Sequence, residues 1–305
     1  MIVLRAAQNA AWGRNMFHSL EEILAECGRT HLPFWKTVQL DDCREEALDE
    51  AASFARMTEI WDAMKASDRD YDPALHSASG LVGTDADKIR VRRENGGLLC
   101  GEFTSHVMER ALKVAESNAC MKRIVAAPTA GSCGVMPAVL LSMQEKLSLP
   151  DERMVEALYV AAGIGGVIAE RASLSGAEGG CQAEIGSASG MAAGAAVYLL
   201  GGSGEAMAHA CAMALSGLLG LVCDPVAGLV EIPCVKRNVI GAMNAVTSAD
   251  MAMAGIRSKI PPDEVIDALR TVGHAMSADL RETGHGGLAM TPAGQAIRRK
   301  IETGG

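Results

Sequence analysis

Three cysteines stand where a backbone can bring sulfur to a metal. Cys181 lies in "SGAEGGCQAEIG", and Cys223 and Cys234 bound the stretch "CDPVAGLVEIPC", a spacing of C-x41-C-x10-C. Glycine lets backbone amides approach sulfur closely, and proline fixes the loop that delivers a thiolate. The paired CxxC knuckles of a zinc site and the CxxC of a redox motif are both absent. Free cysteine is also commonly buried as a small hydrophobe, so on residue types alone structural thiols and a three-thiolate metal or cluster site both stay open. The chain has nine cysteines. An odd number argues against a disulfide framework.

Other residues near these thiols have the right types to hold a small carboxylate. Lys236, Arg237 and Asn238 follow Cys234, and Arg281 opens "RETG". A buried carboxylate needs a cationic or amide partner, and arginine can bind it in two places at once. Structural ion pairs to Asp224, Glu231 or Glu282 account for the same residues equally well. Thr129 and the amides of residues 130 to 134, in a Gly-rich turn, suit either a substrate or the cap of a helix. Cys133 in "GSCG" reads as a bystander thiol, Cys211 as a buried helical thiol, and His209 as a core or partly exposed histidine. Cys27, Cys43, Cys100 and Cys120 lack a metal-like context, and His285, on a Gly-rich loop, reads as solvated.

The elements that position these residues read as helices, and the fold class expected is all-α with a buried Ala/Gly-rich core. Residues 44 to 67 predict one amphipathic helix, with Ala47, Ala51, Phe54 and Trp61 on its apolar face. Residues 67 to 88 read as a long irregular connection, and 103 to 119 as a helix with Val107, Ala111 and Val114 inward. From 151 to 257 Ala, Gly, Ser and Met dominate, which predicts helices buried all round. A last amphipathic helix is expected to carry Val265, Leu269, Val272, Met276 and Leu280 behind a Pro pair.

Composition excludes several classes. The net charge is -9, and no basic run is longer than "RRK" at 298 to 300, which argues against nucleic acid. Arg5, Gln8 and Asn9 interrupt the N-terminal apolar residues too early for a signal peptide, so the chain reads as cytoplasmic. The uncharged residues 185 to 204 are numerous enough to cross a bilayer, but their glycines and serines favour a buried helix and no membrane association.

Four long segments carry a family resemblance: "APTAGSCG" at 127 to 134, "SLSGAEGGCQAEIGSASGMAAGA" at 173 to 195, "GLVCDPVAGLVEIPCVKRN" at 220 to 238 and "LRETGHGGLA" at 280 to 289. Together with the cysteine spacing, they make the chain resemble the alpha chain of the iron-sulfur-dependent L-serine dehydratases, from about residue 16 onward. The resemblance implies a lyase of amino-acid degradation and gluconeogenesis that converts L-serine to pyruvate and ammonia. It implies that Cys181, Cys223 and Cys234 hold a [4Fe-4S] cluster whose open iron acts as a Lewis acid on the substrate hydroxyl and carboxylate. Ser79 to Thr84 resembles a substrate-side segment, which joins Thr129, Arg237 and Arg281 as substrate-binding expectations.

Single-chain members carry a Ser-Ser-Ser-His-Thr motif, and some a C-terminal cysteine near the cluster; this chain shows neither and ends in "KIETGG". The resemblance therefore implies the two-chain form, with a beta chain supplying that motif and the general base on either chain. Residues 1 to 15 read as an N-terminal extension, frayed or set by start-codon choice, and 16 to 305 as the catalytic domain, charged up to 122 and cluster-binding from 123. Rival readings are the same chemistry on L-threonine, L-cysteine or another β-substituted amino acid, and a cluster-bearing redox protein. Pyridoxal phosphate chemistry ranks last, for want of a lysine context.

Overall fold

A computed structural model describes Ile2, Val3 and residues 17 to 303. The extension expected over residues 1 to 15 lies outside the described residues, apart from Ile2–Val3 (β1), which pairs in parallel with Val125–Ala126 (β2). The rest is helical. In chain order the helices are α1 (Leu20–Thr30), α2 (Phe34–Glu46), α3 (Glu50–Arg69), α4 (Asp85–Glu94), α5 (Glu102–Ala119), α6 (Val135–Leu147) and α7 (Asp151–Arg171). They continue as the single turn α8 (Gly176–Gly179), then α9 (Ser187–Leu199), α10 (Gly204–Ser216), α11 (Cys234–Met253), α12 (Pro262–Ala275) and α13 (Pro292–Glu302).

α9 is the axis of the molecule. All thirteen of its residues are buried, and α6, α7, α10 and α11 pack around it. Its small side chains permit this: a Cβ on Gly194 would lie 2.2 Å from Ile164 Cδ1 of α7, and one on Gly190 would lie 3.0 Å from the Cys211 sulfur of α10. Polar staples fix the register. Ser189 Oγ donates to the Gly241 carbonyl at 2.8 Å, while Asn244 Nδ2 donates to Ser189 Oγ at 2.9 Å and to the Ala214 carbonyl at 2.8 Å. Among the described residues no helix is long and apolar enough to cross a membrane.

The charged first part joins the same core, since Trp61, Met64 and Val107 pack in one cluster with α7, α9 and α10. Asp151, in the first turn of α7, accepts from Trp61 Nε1 at 2.9 Å, Lys65 Nζ at 2.6 Å and Gln144 Nε2 at 2.7 Å. The α3, α6 and α7 helices meet on one carboxylate.

Two expected helices are corrected. The single helix over residues 44 to 67 is two: Ala47 takes a left-handed φ of 53°, and the Asp49 carboxylate caps α3 by accepting from Ala52 N at 2.7 Å. Ala47 and Ala51 are therefore exposed, and α3 buries Ser53, Trp61, Met64 and Ser67 instead. The last amphipathic helix stops at Ala275, because Met276 turns extended to place its sulfur over Gly180, and Leu280 ends a separate 3-10 turn. The expected inner face of α5 holds, with Val107, Ala111 and Val114 fully buried, whereas burial on every side holds for α9 but not for α11, where Ile240, Met251 and Met253 are exposed.

Candidate functional site

Cys181 follows α8 and opens a π-helical turn, Gln182–Gly186, that leads into α9. Gly180 reaches this turn with φ 74° and would strike the Met276 sulfur if it carried a Cβ. The Gln182 side chain holds the turn by donating to the Leu269 carbonyl at 3.0 Å and accepting from Gly220 N at 2.8 Å. Cys223 is fixed by a ladder with the "RETG" segment: its N–H donates to Leu280 O at 2.8 Å, and its carbonyl accepts from Glu282 N at 2.9 Å. Cys234 is the first residue of α11.

The "CDPVAGLVEIPC" stretch closes on itself through Val226 N to Ile232 O at 2.8 Å, with Ala227 and Gly228 both at positive φ. Asp224 pairs with Arg237 at 2.8 Å and accepts from Leu288 N at 2.8 Å. Glu231 accepts from the Ser77 hydroxyl at 3.0 Å and from the Ser79 hydroxyl. Both acids are ligands of protein groups.

The structure brings Cys181, Cys223 and a carboxylate together: the two sulfurs and a Glu184 oxygen lie within 4.8 Å of one another. Cys234, also buried, stands outside this group of three. Arg237 joins it, with Nη1 3.4 Å from Cys181 Sγ and 2.8 Å from the Val222 carbonyl. The Cys223 thiol donates to Cys181 and, with Arg237, outweighs burial, so the Cys181 thiol is held below its ordinary value. That same bond to a thiolate raises Cys223, and burial pushes Cys234 up to about 12.

Glu184 is the residue that sequence reasoning missed. Burial pushes its carboxyl up to about 7, against the opposing hydrogen bond of Thr129. Two glycines make room for it: a Cβ on Gly176 would lie 2.7 Å from Glu184 Oε2 and 3.2 Å from Cys223 Sγ, and one on Gly131 would lie 3.2 Å from Glu184 Oε1. Its signal was a lone charge three residues after Cys181 in an otherwise uncharged stretch.

The other expected site residues divide. Asn238 is a brace, accepting from Gly134 N at 2.8 Å and donating to the Gly131 carbonyl at 2.8 Å and the Cys234 carbonyl at 3.0 Å. Lys236 is exposed and pairs with Asp85 at 3.1 Å. Thr129 caps the 3-10 turn Ala130–Ser132, its N–H donating to Ser132 Oγ at 3.3 Å, and it also faces Glu184. Ser79 is taken up by Glu231, and Thr84 precedes α4 at a φ of 69°. Arg281 lines a separate cavity beside Cys223.

Cys133 and Cys211 are fully buried, and burial pushes both thiols up to about 12, as suits packing. His209 is half-buried with an unpartnered Nδ1, and His285 is exposed.

The donor set fits an iron-sulfur cluster. It offers buried thiols, that of Cys181 lowered from its ordinary value, and a Cβ at Gly176 would lie 3.2 Å from the Cys223 sulfur.

The sequence profile described as "Serine dehydratase alpha chain" matches residues 19–289. The chain is 49% identical over 248 residues to a probable L-serine dehydratase, alpha chain, of Bacillus subtilis (strain 168), covering 81% of this chain and 83% of that protein. It is 40% identical over 285 residues to the L-serine dehydratase, alpha chain, of Peptoniphilus asaccharolyticus, covering 93% of this chain and 98% of that protein. A longer relative, an L-serine dehydratase of Streptomyces coelicolor, is 48% identical over 242 residues, which are 77% of this chain and 52% of that protein. With most of its length matched in this way, the chain belongs to the serine dehydratase alpha chain family.

Proposed function

We propose that this chain is the alpha subunit of an L-serine dehydratase, a lyase that converts L-serine to pyruvate and ammonia in partnership with a beta chain. The observation that carries the reading is the group of buried Cys181 and Cys223 with half-buried Glu184, which lies within the part of the chain that matches the family. Cys181, Cys223 and Cys234 are the proposed ligands of a [4Fe-4S] cluster. When bound, it supplies a Lewis-acidic iron that stabilises negative charge on the substrate hydroxyl and carboxylate.

The reaction removes a Cα proton and the β-hydroxyl of serine as water. The resulting enamine becomes an imine, whose hydrolysis consumes one water and releases ammonia and pyruvate. Hydroxide leaves poorly unless it is protonated or its charge is stabilised. Glu184, whose carboxyl burial raises to about 7, is the proposed donor of a proton to the departing oxygen. Arg237, fixed by Asp224 and Val222, helps to lower the Cys181 thiol behind the larger effect of Cys223 and is unavailable as a freely moving substrate clamp. The base that takes the Cα proton is proposed to come from the beta chain.

The test is to purify the chain anaerobically with its beta partner and assay pyruvate and ammonia from L-serine, L-threonine and L-cysteine. Iron, sulfide and the visible spectrum are measured beside a Cys223→Ser variant. Serine turnover, with cluster absorption lost in the variant, is the expected result. An intact cluster in the variant, or no turnover of serine by the wild type, rejects the reading.

A further inference from the structure

Beside the thiol group lies a cavity of about 370 Å³ lined by Ala177, Glu178, His274, Ala278, Arg281 and Thr283. Its volume falls within the range of small-molecule sites. Arg281 is the unusual member. Its Nε is buried without a hydrogen-bond partner, and its Nη1 makes only a 3.4 Å contact with the Glu178 carbonyl. No carboxylate among the described residues pairs with it, although Glu282 is the next residue and Asp279 lies two before it. A guanidinium donor left without an acceptor in the protein loses free energy that an incoming acceptor restores.

The backbone of Arg281 cannot drift, because the ladder to Cys223 clamps residues 280 and 282 on either side of it. The backbone of Arg281 is thus held one strand spacing from that of a proposed cluster ligand. The same cavity offers an acid at Glu178, a hydroxyl at Thr283 and the small apolar walls of Ala177 and Ala278. A cation for a carboxylate and an acid for an ammonium, between two alanines, describe the head of an amino acid.

We infer that this cavity binds a small zwitterionic α-amino acid, with Arg281 receiving its carboxylate and Glu178 its ammonium. The inference rests on the proposed function only for the identity of that amino acid, L-serine, which the cavity receives beside the reacting centre. Arg281 is a binding residue of this outer site, distinct from Arg237, whose guanidinium is occupied by Asp224, Val222 and Cys181.

Calorimetric titration of the full chain, freed of metal by a chelator, reads this site without the cluster. L-serine is expected to bind, and Arg281→Gln to weaken it roughly tenfold or more, the effect of losing a bidentate charged pair. Glu178→Gln, a change at an exposed position, is expected to weaken L-serine but leave L-lactate, which lacks the ammonium, unchanged. Circular dichroism checks that both variants fold, and Arg281→Lys supplies a charged control if Arg281→Gln does not. Equal L-serine affinity in the wild type, Arg281→Gln and Glu178→Gln proteins overturns the inference, as does no binding by the wild type. Absence of iron and of serine turnover in the untreated protein rejects the proposed function instead, and leaves an Arg281-dependent binding signal standing.

Discussion

At the scale of single residues the site is decided by a carboxyl and the two glycines that admit it. Glu184→Gln removes the proton that can move but keeps the shape, so kcat is expected to fall about 10²-fold or more while iron content is unchanged. Steady-state kinetics beside an iron assay separates that outcome from loss of the cluster. Gly176→Ala tests the space: its Cβ would sit 2.7 Å from the Glu184 carboxylate, so the carboxylate must swing away. The expected result is a kcat defect like that of Glu184→Gln, with a stability cost of about 1 to 3 kcal/mol from overpacking, read by urea denaturation. Glycine and proline beside the cysteines marked shaped loops, but residue types alone left structural thiols and a metal site both open, and the proposed ligand set came from the family resemblance. Glu184 was not legible, because Gly131 and Gly176 become its neighbours only when two distant Gly-rich turns close on each other. The fate of Arg237 was half legible: Asp224 was one of three acids expected to pair with it, and only the fold chooses among them.

At the scale of elements, Asp151 shows how a helix terminus joins three helices. Burial raises its carboxyl, but hydrogen bonds from Lys65, Trp61 and Gln144 outweigh that and hold it at about 2. A lowered carboxyl contributes stability that is present above its unfolded value, near 3.8, and is lost as pH falls toward 2. The side chain is 46% exposed, so solvent screening reduces the effect to about 1 kcal/mol. Asp151→Asn is expected to lose that amount at pH 7, with the gap from the wild type closing between pH 4 and pH 2 in denaturant melts. Sequence periodicity found α5 and the helical run from α7 to α11, of which α9 is buried on every side. It missed the break before α3, where the Asp49 carboxylate caps the helix while the local apolar spacing runs across the join. It also carried α12 too far, since Met276 leaves the helix for a tertiary contact with Gly180.

At the scale of the whole molecule, the charged first part and the Ala/Gly-rich second part share one core. Trp61, Met64 and Val107 lie in the same apolar cluster as Leu158, Ile164 and Ala192. The boundary expected near residue 122 is therefore a change in composition inside a continuous interior. Thermal unfolding is expected to show one transition, followed alike by Trp61 fluorescence and by helix content. Two separated transitions would show instead that the parts unfold independently.

The start of α11 at Cys234 bears on how a metal group could be taken up. Cys234 is the end of a rod of twenty residues whose Gly241, Ala242, Ala245 and Ala249 are buried. Cys181 and Cys223 sit instead on a short turn and a loop strand. One proposed ligand thus starts a buried rod while the other two are tied down by the Gln182 side chain and by the ladder to Leu280 and Glu282, so all three would meet a metal group on supports that the fold has already set.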